Sequence, residues 1–198
     1  MRMENLEQAY QESLDFIYSF IDFSMKRHLD DSHRFFKLDR MRHMMDLLGN
    51  PQEKFLTIHV AGTKGKGSTA SLCASALRAA GYKVGLYTSP HLQEFTERIQ
   101  INGAQIERQA LVDLVARIRP LTAQVPEITT FELMTVLAFL HFFESRVNIA
   151  VVEVGLGGRL DATNIITPLV SVITPISYDH TAILGNTLTE IAFEKGGI

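Results

Sequence analysis

Phe55-Leu56-Thr57-Ile58-His59-Val60-Ala61-Gly62-Thr63-Lys64-Gly65-Lys66-Gly67-Ser68-Thr69 is the stretch on which the fold turns. Phe55 to Val60 is a short β-rich run. Gly62, Gly65 and Gly67 open a loop, and a helical pattern follows from about Thr69 to Ala80, closed by Gly81. Glycines let successive backbone N–H groups turn toward one point, and a helix start adds partial positive charge there. Such a loop is a cradle for anions. Lys66 reaches toward the outer phosphates of a nucleotide, and Ser68 or Thr69 offers a hydroxyl near a metal.

The fit to the ordinary nucleotide-loop pattern is imperfect. Counting back from Gly65-Lys66, the first glycine should fall at Val60, and the residue after Lys66 is Gly67 rather than Ser or Thr. For these residues alone, a glycine-rich strand–helix turn with two surface lysines is the plainer alternative.

Upstream, Leu6, Tyr10, Leu14, Ile17 and Ile21 mark one apolar helix face. A second helical pattern, Leu38, Met41, Met45 and Leu48, stops at Gly49-Asn50-Pro51. Downstream, Val84 to Thr88 reads as a strand, and Arg98 to Ile101 as another that turns at Asn102-Gly103, a hairpin signal. Helices are expected from Arg108 to Ile118 and from Phe131 to Glu144. Ile149 to Val154 and Leu169 to Thr174 are continuous apolar runs, as strands buried on both faces should be. A last helix begins near Thr187, where Thr187 and Glu190 fit a capping box. The alternation predicts an α/β fold: a mostly parallel sheet with helices on both faces. Residues 1–50 form a helical leader and residues 55–198 the α/β core.

Composition sets limits. With 46% hydrophobic residues the chain can bury a substantial core. Its 19 basic against 22 acidic residues give a net charge of −3, which offers no basic surface for nucleic acid. The single cysteine, Cys73, excludes an intramolecular disulfide and sits in a small-residue run, where packing is its expected role. Met1 to Tyr10 is polar and mixed in charge, unlike a secretory leader. Leu133 to Phe143 is too short for the roughly 20 residues a bilayer demands. No membrane partner is expected, and a cytoplasmic protein is.

Five segments, in order, carry a family resemblance. They are Gly62-Thr63-Lys64-Gly65-Lys66-Gly67-Ser68; Thr88-Ser89-Pro90-His91-Leu92; Thr130-Phe131-Glu132; Glu153-Val154-Gly155-Leu156-Gly157-Gly158-Arg159-Leu160-Asp161-Ala162-Thr163-Asn164; and Asp179-His180 leading to Glu194-Lys195-Gly196-Gly197-Ile198. From about Asp39 onward the chain resembles the dihydrofolate synthase/folylpolyglutamate synthase family of the Mur ligase superfamily. The resemblance implies a P-loop-type, Mur-ligase-like central ATPase domain, here incomplete, with the C-terminal glutamate-binding domain absent. It implies an ATP-dependent C–N ligase. ATP phosphorylates a pterin-bearing carboxylate, the glutamate amine attacks the acyl phosphate, and phosphate leaves.

The same resemblance implies the site. Gly62, Thr63, Lys64, Gly65, Lys66, Gly67 and Ser68 bind ATP. Ser89, Glu153, His180 and Lys195 hold Mg²⁺, Lys195 after carbamylation. Lys66, Glu153, His180 and Lys195 are the catalytic group. Thr129, Thr130, Phe131, Glu132, Leu160, Asp161 and Ala162 contact the pterin, with His33 to Phe36 bordering it. The residues themselves leave simpler readings open. Ser89-Pro90 is a turn in its own right, His180 a solvated imidazole, and Phe131 a core residue at a helix start. A carboxylate closing Ile149-Ala150-Val151-Val152 demands a counter-charge; a metal or Arg159 would serve. For Lys195, carbamylation requires a neutral amine, hence burial or nearby cations.

The expected partners are small molecules: ATP, a pterin or folate, and glutamate. The full-length parent is expected to be a monomer. This chain alone is expected to bind nucleotide weakly and form no amide product. Two other readings compete: a Mur-type UDP-muramyl peptide ligase, and a non-catalytic nucleotide-binding remnant. Lys66-Gly67-Ser68 and Ser89-Pro90-His91-Leu92 favour the folate branch.

Overall fold

Residues 2–20 and 37–198 are described by a computed structural model of the chain. Two helices, α1 (Arg2–Tyr18) and α2 (Leu38–Leu47), precede β1 (Leu56–Ala61), α3 (Lys66–Ala79) and β2 (Val84–Tyr87). Then come β3 (Ile99–Ile101), β4 (Ala104–Gln105), α4 (Arg108–Ile118), α5 (Thr130–Glu144), β5 (Ile149–Glu153), β6 (Val170–Ile173), α6 (Thr181–Leu184) and α7 (Leu188–Lys195). Ile21, which the apolar spacing adds to the first helix, lies outside the described residues.

The strands form one sheet in the order β4-β3-β2-β5-β1-β6. β2, β5, β1 and β6 run parallel. β3 and β4 close one edge as an antiparallel hairpin. Its two turn residues, Asn102 and Gly103, both have positive φ, 52° and 83°, as a two-residue hairpin turn requires.

Side chains alternate across the strands, so the sheet has two buried faces. One carries Tyr87, Ile99, Ala150 and Val152 against α5 and against apolar residues of α1, α2 and α4. α5 is apolar nearly all round and buried along most of its length, as expected of a helix at the centre of a core. The other face carries Val60, Val84, Leu86, Ile149 and Val151 against α3, where half-buried Cys73 packs with Ala74 and Leu77. Helices therefore cover both faces, as the alternation predicts.

β6 departs from expectation. Its apolar run predicts burial on both faces, yet Leu169 is 62%, Val170 52% and Ile173 42% exposed. β6 pairs with β1 on one side and forms the other edge of the sheet. An apolar run encodes what a strand could bury, not whether a neighbour is there to cover it.

The parallel strands end along one edge of the sheet, at Ala61, Tyr87, Glu153 and Ile173. The loops at 62–65, 88–91, 154–164 and 174–180 meet there, the place where open α/β sheets put their sites.

Candidate phosphate and metal site

Gly65 adopts the left-handed conformation (φ 82°) immediately before α3, so the helix begins at Lys66 rather than near Thr69. Thr69 N–H returns to the Gly65 carbonyl at 2.9 Å. Among the described residues no side chain caps the helix, which leaves its first-turn N–H groups, those of Lys66, Gly67 and Ser68, open to an anion. The preceding turn is fixed from the opposite side. A Cβ on Gly62 (φ 138°) would lie 1.8 Å from Thr174 Oγ1. Thr63 N–H donates to the Pro175 carbonyl, and its hydroxyl donates to the Ser177 carbonyl while accepting Ser177 N–H, each at 3.1 Å. Thr63 is thus committed to holding the segment after β6, while Lys64, Gly65 and Ser68 are exposed and Lys66 is half-buried.

Glu153 ends β5 at 4% exposure. Its Oε2 accepts Ser89 N–H at 3.0 Å, and a Cβ on Gly67 would stand 3.4 Å from that oxygen. The helix start, Ser89 and Glu153 therefore converge. Burial raises the Glu153 carboxyl above its ordinary range, opposed by the Ser89 N–H and the charge of Lys66. With one hydrogen bond among the described residues, and with burial outweighing the charges of Lys66 and Arg98, this carboxylate is short of counter-charge, and a divalent cation of the oxygen-seeking kind would provide it. Arg159 does not. Its guanidinium lies 4.0 Å from the Phe193 ring centroid and donates to the Phe193 carbonyl.

Lys195 ends α7 at 2% exposure and donates from Nζ to the Gly62 carbonyl at 3.0 Å. Burial lowers its pKa, and the Lys66 charge lowers it further, against opposition from Asp179 and Asp161. Gly158 lets this helix end approach, since a Cβ there would meet the Glu194 and Lys195 carbonyls at 2.8 and 2.9 Å. His180 sits at positive φ (45°) just before α6. Its half-exposed ring lies 3.4 Å from its neighbour Asp179. No group of three or more His, Cys, Asp or Glu side chains suited to a metal occurs among the described residues. Ser89, Glu153, Lys66 and Lys195 are brought to one edge, and His180 ends the 174–180 loop at that edge.

The residues assigned to the pterin turn mostly inward. Thr129 and Glu132 form a capping box at the start of α5: Thr129 Oγ1 accepts Glu132 N–H, and Glu132 Oε2 accepts Thr129 N–H at 2.7 Å. Arg40 Nε also reaches both Glu132 oxygens, at 3.2 and 3.3 Å. Any ligand contact to Glu132 adds to these three. Thr130 donates to the carbonyls of Ile17 and Phe20. Asp161 accepts Leu156 N–H and Thr163 N–H and is 4% exposed. Ala162 is buried, and Leu160 is 40% exposed. Phe131 is half-buried: its ring sits beside Tyr87 and against Gly155, where a Cβ would fall 2.3 Å from Phe131 Cζ. The small pocket bordered by Leu156, Gly158, Leu160 and Leu184 holds about 50 Å³, far below the ~300–1,000 Å³ of an ordinary ligand cavity. His33 to Phe36 lie outside the described residues.

The sequence gives no role to three positions that the structure brings forward: Arg40, and His59 and Thr163 within the quoted segments. His59 was visible as a polar residue within an apolar strand. Nothing local signalled Arg40, which is 92 residues from its partner Glu132.

Residues 60–198 match the family model of the Mur ligase middle domain. The dihydrofolate synthase/folylpolyglutamate synthase of Bacillus subtilis (strain 168) is 43% identical over 196 residues, covering 96% of this chain and 44% of that protein. A solved folylpolyglutamate synthase–AMPPCP–folate complex superposes with a TM-score of 0.84 at 42% identity, covering 95% of this chain and 45% of that one. The Mycobacterium tuberculosis folylpolyglutamate synthase complexed with ADP gives 0.85 at 39% identity, covering 97% and 42%. The chain spans less than half the length of these relatives.

Proposed function

The chain belongs to the Mur ligase family, whose middle domain it carries over residues 60–198, and on that premise we propose that it is the phosphate-binding part of an ATP-dependent ligase that joins glutamate to dihydropteroate or to folate polyglutamates. The observation that carries the reading is the uncapped helix start at Gly65-Lys66 beside the buried, under-compensated carboxylate of Glu153.

Each part has a chemical task. A carboxylate becomes electrophilic only when its oxygen is made a good leaving group, and moving a phosphoryl group onto it sets anion against anion. The first-turn N–H groups and Lys66 neutralise and align the transferred phosphate. Glu153 and Ser89, with His180, would hold Mg²⁺, which when bound shields the phosphate oxygens. Lys195 is dry and beside another cation, so its amine is biased toward the neutral form that carbamylation requires. Thr129 to Glu132 and Leu160 to Ala162 would border the pterin, with Phe131 and Leu160 offering apolar surface and the polar members shaping the backbone around it. Adenine recognition and the glutamate site fall to parts of the relatives that this chain does not span.

The folate branch is favoured over a muramyl-peptide branch by relatives that are folylpolyglutamate and dihydrofolate synthases at 38–45% identity. The test is titration of the chain, with Mg²⁺ and ATP present, against 7,8-dihydropteroate by its fluorescence and against a UDP-muramyl peptide by calorimetry. Saturable binding of the pterin alone is the expected result. Binding of the muramyl peptide with no response to the pterin would overturn the assignment.

A further inference from the structure

His59 lies in the middle of β1, wholly buried, in register with Val152 on one side and Ser171 on the other. A central parallel strand ordinarily places an aliphatic side chain there. Burial brings the imidazole to a pKa of about 4, so it is neutral at pH 7. Its Nε2 is 2.8 Å from Thr163 Oγ1, a residue 104 positions away and itself fully buried. Thr163 is the next link, because its hydroxyl donates to Asp161 Oδ1.

Proton counting fixes the direction of this chain. Burial pushes the Asp161 carboxyl up, but Oδ1 accepts Thr163 N–H at 3.0 Å and Oδ2 accepts Leu156 N–H at 2.8 Å, and these bonds to both oxygens pull it back toward the carboxylate. A hydroxyl has one proton to give, and Thr163 gives it to Asp161. Thr163 must then accept from the ring, which places the hydrogen on Nε2 and leaves Nδ1 bare. Nδ1 is buried and has no partner among the described residues.

The loop held in this way meets both sides of the candidate site. Gly155 lies against Phe131, and Gly158 against the carbonyls of Glu194 and Lys195. Asn164 extends the hold, donating to the carbonyls of Arg159 and Gly197 at 3.0 and 2.9 Å. We infer that His59 and Thr163 are positioning residues: His59, as the Nε2–H tautomer, orients the Thr163 hydroxyl onto Asp161, and this chain fixes the Leu156–Thr163 loop for pterin binding. The consequence for the pterin rests on the function proposed above; the fixing of the loop does not.

Three measurements on the whole chain test it. The ¹⁵N spectrum of the His59 ring should show a protonated Nε2 and a bare Nδ1 between pH 6 and 8. Thr163→Val keeps the side-chain shape without the hydroxyl, and His59→Leu removes the donor. Each should speed amide exchange at Leu156 at least tenfold and weaken dihydropteroate binding at least fivefold, with ATP affinity within twofold of the parent. His59→Gln retains a side-chain N–H and should recover most of both losses. An Nδ1–H ring, or a charged ring at pH 6.5, overturns the inference without any variant having to fold. Unchanged Leu156 exchange in folded Thr163→Val overturns it as well. If the parent chain binds no dihydropteroate, the pterin reading fails, while the tautomer and the Leu156 exchange still decide the positioning role.

Discussion

An alanine at position 62 would put its methyl carbon 1.8 Å from Thr174 Oγ1 and 2.9 Å from both Thr174 Cβ and the Thr174 carbonyl oxygen. It would do so on backbone with φ at 138°. Two costs add. A residue with a Cβ held in this region stores about 1–3 kcal/mol of strain. Forcing a methyl into filled space costs about 1–3 kcal/mol more. The sum, about 2–6 kcal/mol, is a large share of the about 5–15 kcal/mol that holds an ordinary domain together. A companion change separates the terms. Thr174 Oγ1 is buried without a partner among the described residues, so Thr174→Ala alone should alter stability by less than about 1 kcal/mol. It also removes the shortest contact, but leaves the residue-174 Cβ and carbonyl oxygen at 2.9 Å and the backbone strain. Urea denaturation followed by circular dichroism should therefore show Gly62→Ala less stable by at least about 2 kcal/mol, with the double variant recovering about half. Because the Gly62 carbonyl accepts a hydrogen bond from Lys195 Nζ, any relaxation also displaces that lysine. Gly62→Ala within about 0.5 kcal/mol of the parent would refute the claim that this turn is pinned between Thr174 and Lys195.

Three further outcomes are expected. His59 has a folded-state pKa of about 4, below its unfolded value, so the unfolded chain binds more protons between pH 6.5 and 4 and stability falls as pH falls through that window. Urea titrations at pH 7 and pH 5 should differ by about 2 kcal/mol more in the parent than in His59→Gln. Glu153→Gln removes a buried charge and should leave stability at pH 7 unchanged or raised by about 1 kcal/mol, while calorimetry shows the Mg²⁺ enhancement of ATP binding reduced at least tenfold. Gly85→Ala would place its Cβ 2.8–2.9 Å from the Phe142 ring; denaturation should register a loss of about 1–3 kcal/mol with nucleotide affinity unaltered.

Features that depend on local chemistry were legible in the sequence. The hairpin at Asn102-Gly103 follows from two residues that tolerate positive φ, and the capping box at Thr187 and Glu190 from hydroxyl and carboxylate at the right spacing. The same box stands at Thr129 and Glu132. Its spacing is equally visible, but a reading centred on a heterocyclic ligand passes over it. The helix begins at Lys66 rather than near Thr69 because Gly65, in the left-handed conformation, takes the cap position. Features that depend on what lies opposite were not legible. The exposure of β6 turns on whether a neighbour covers it, and none does among the described residues; Arg159 turns to Phe193 rather than Glu153. The His59–Thr163–Asp161 chain spans 104 residues, and no window of sequence contains it. Ser89 beside Glu153, joined by a 3.0 Å bond across 64 residues, was accessible only through the order of motifs, because parallel strands bring their C-terminal ends to one edge.

We propose that the Gly62–Ser68 turn binds nucleotide phosphate through Lys66 and the start of α3. Calorimetric titration of Mg²⁺–ATP into the chain and into Lys66→Ala tests it most directly. Losing one charge-assisted contact costs roughly 1.5–3 kcal/mol, so at least a tenfold loss of affinity is expected, with the fold unchanged by circular dichroism. An affinity for ATP within twofold of the parent would contradict it, and would show that the phosphates are held elsewhere.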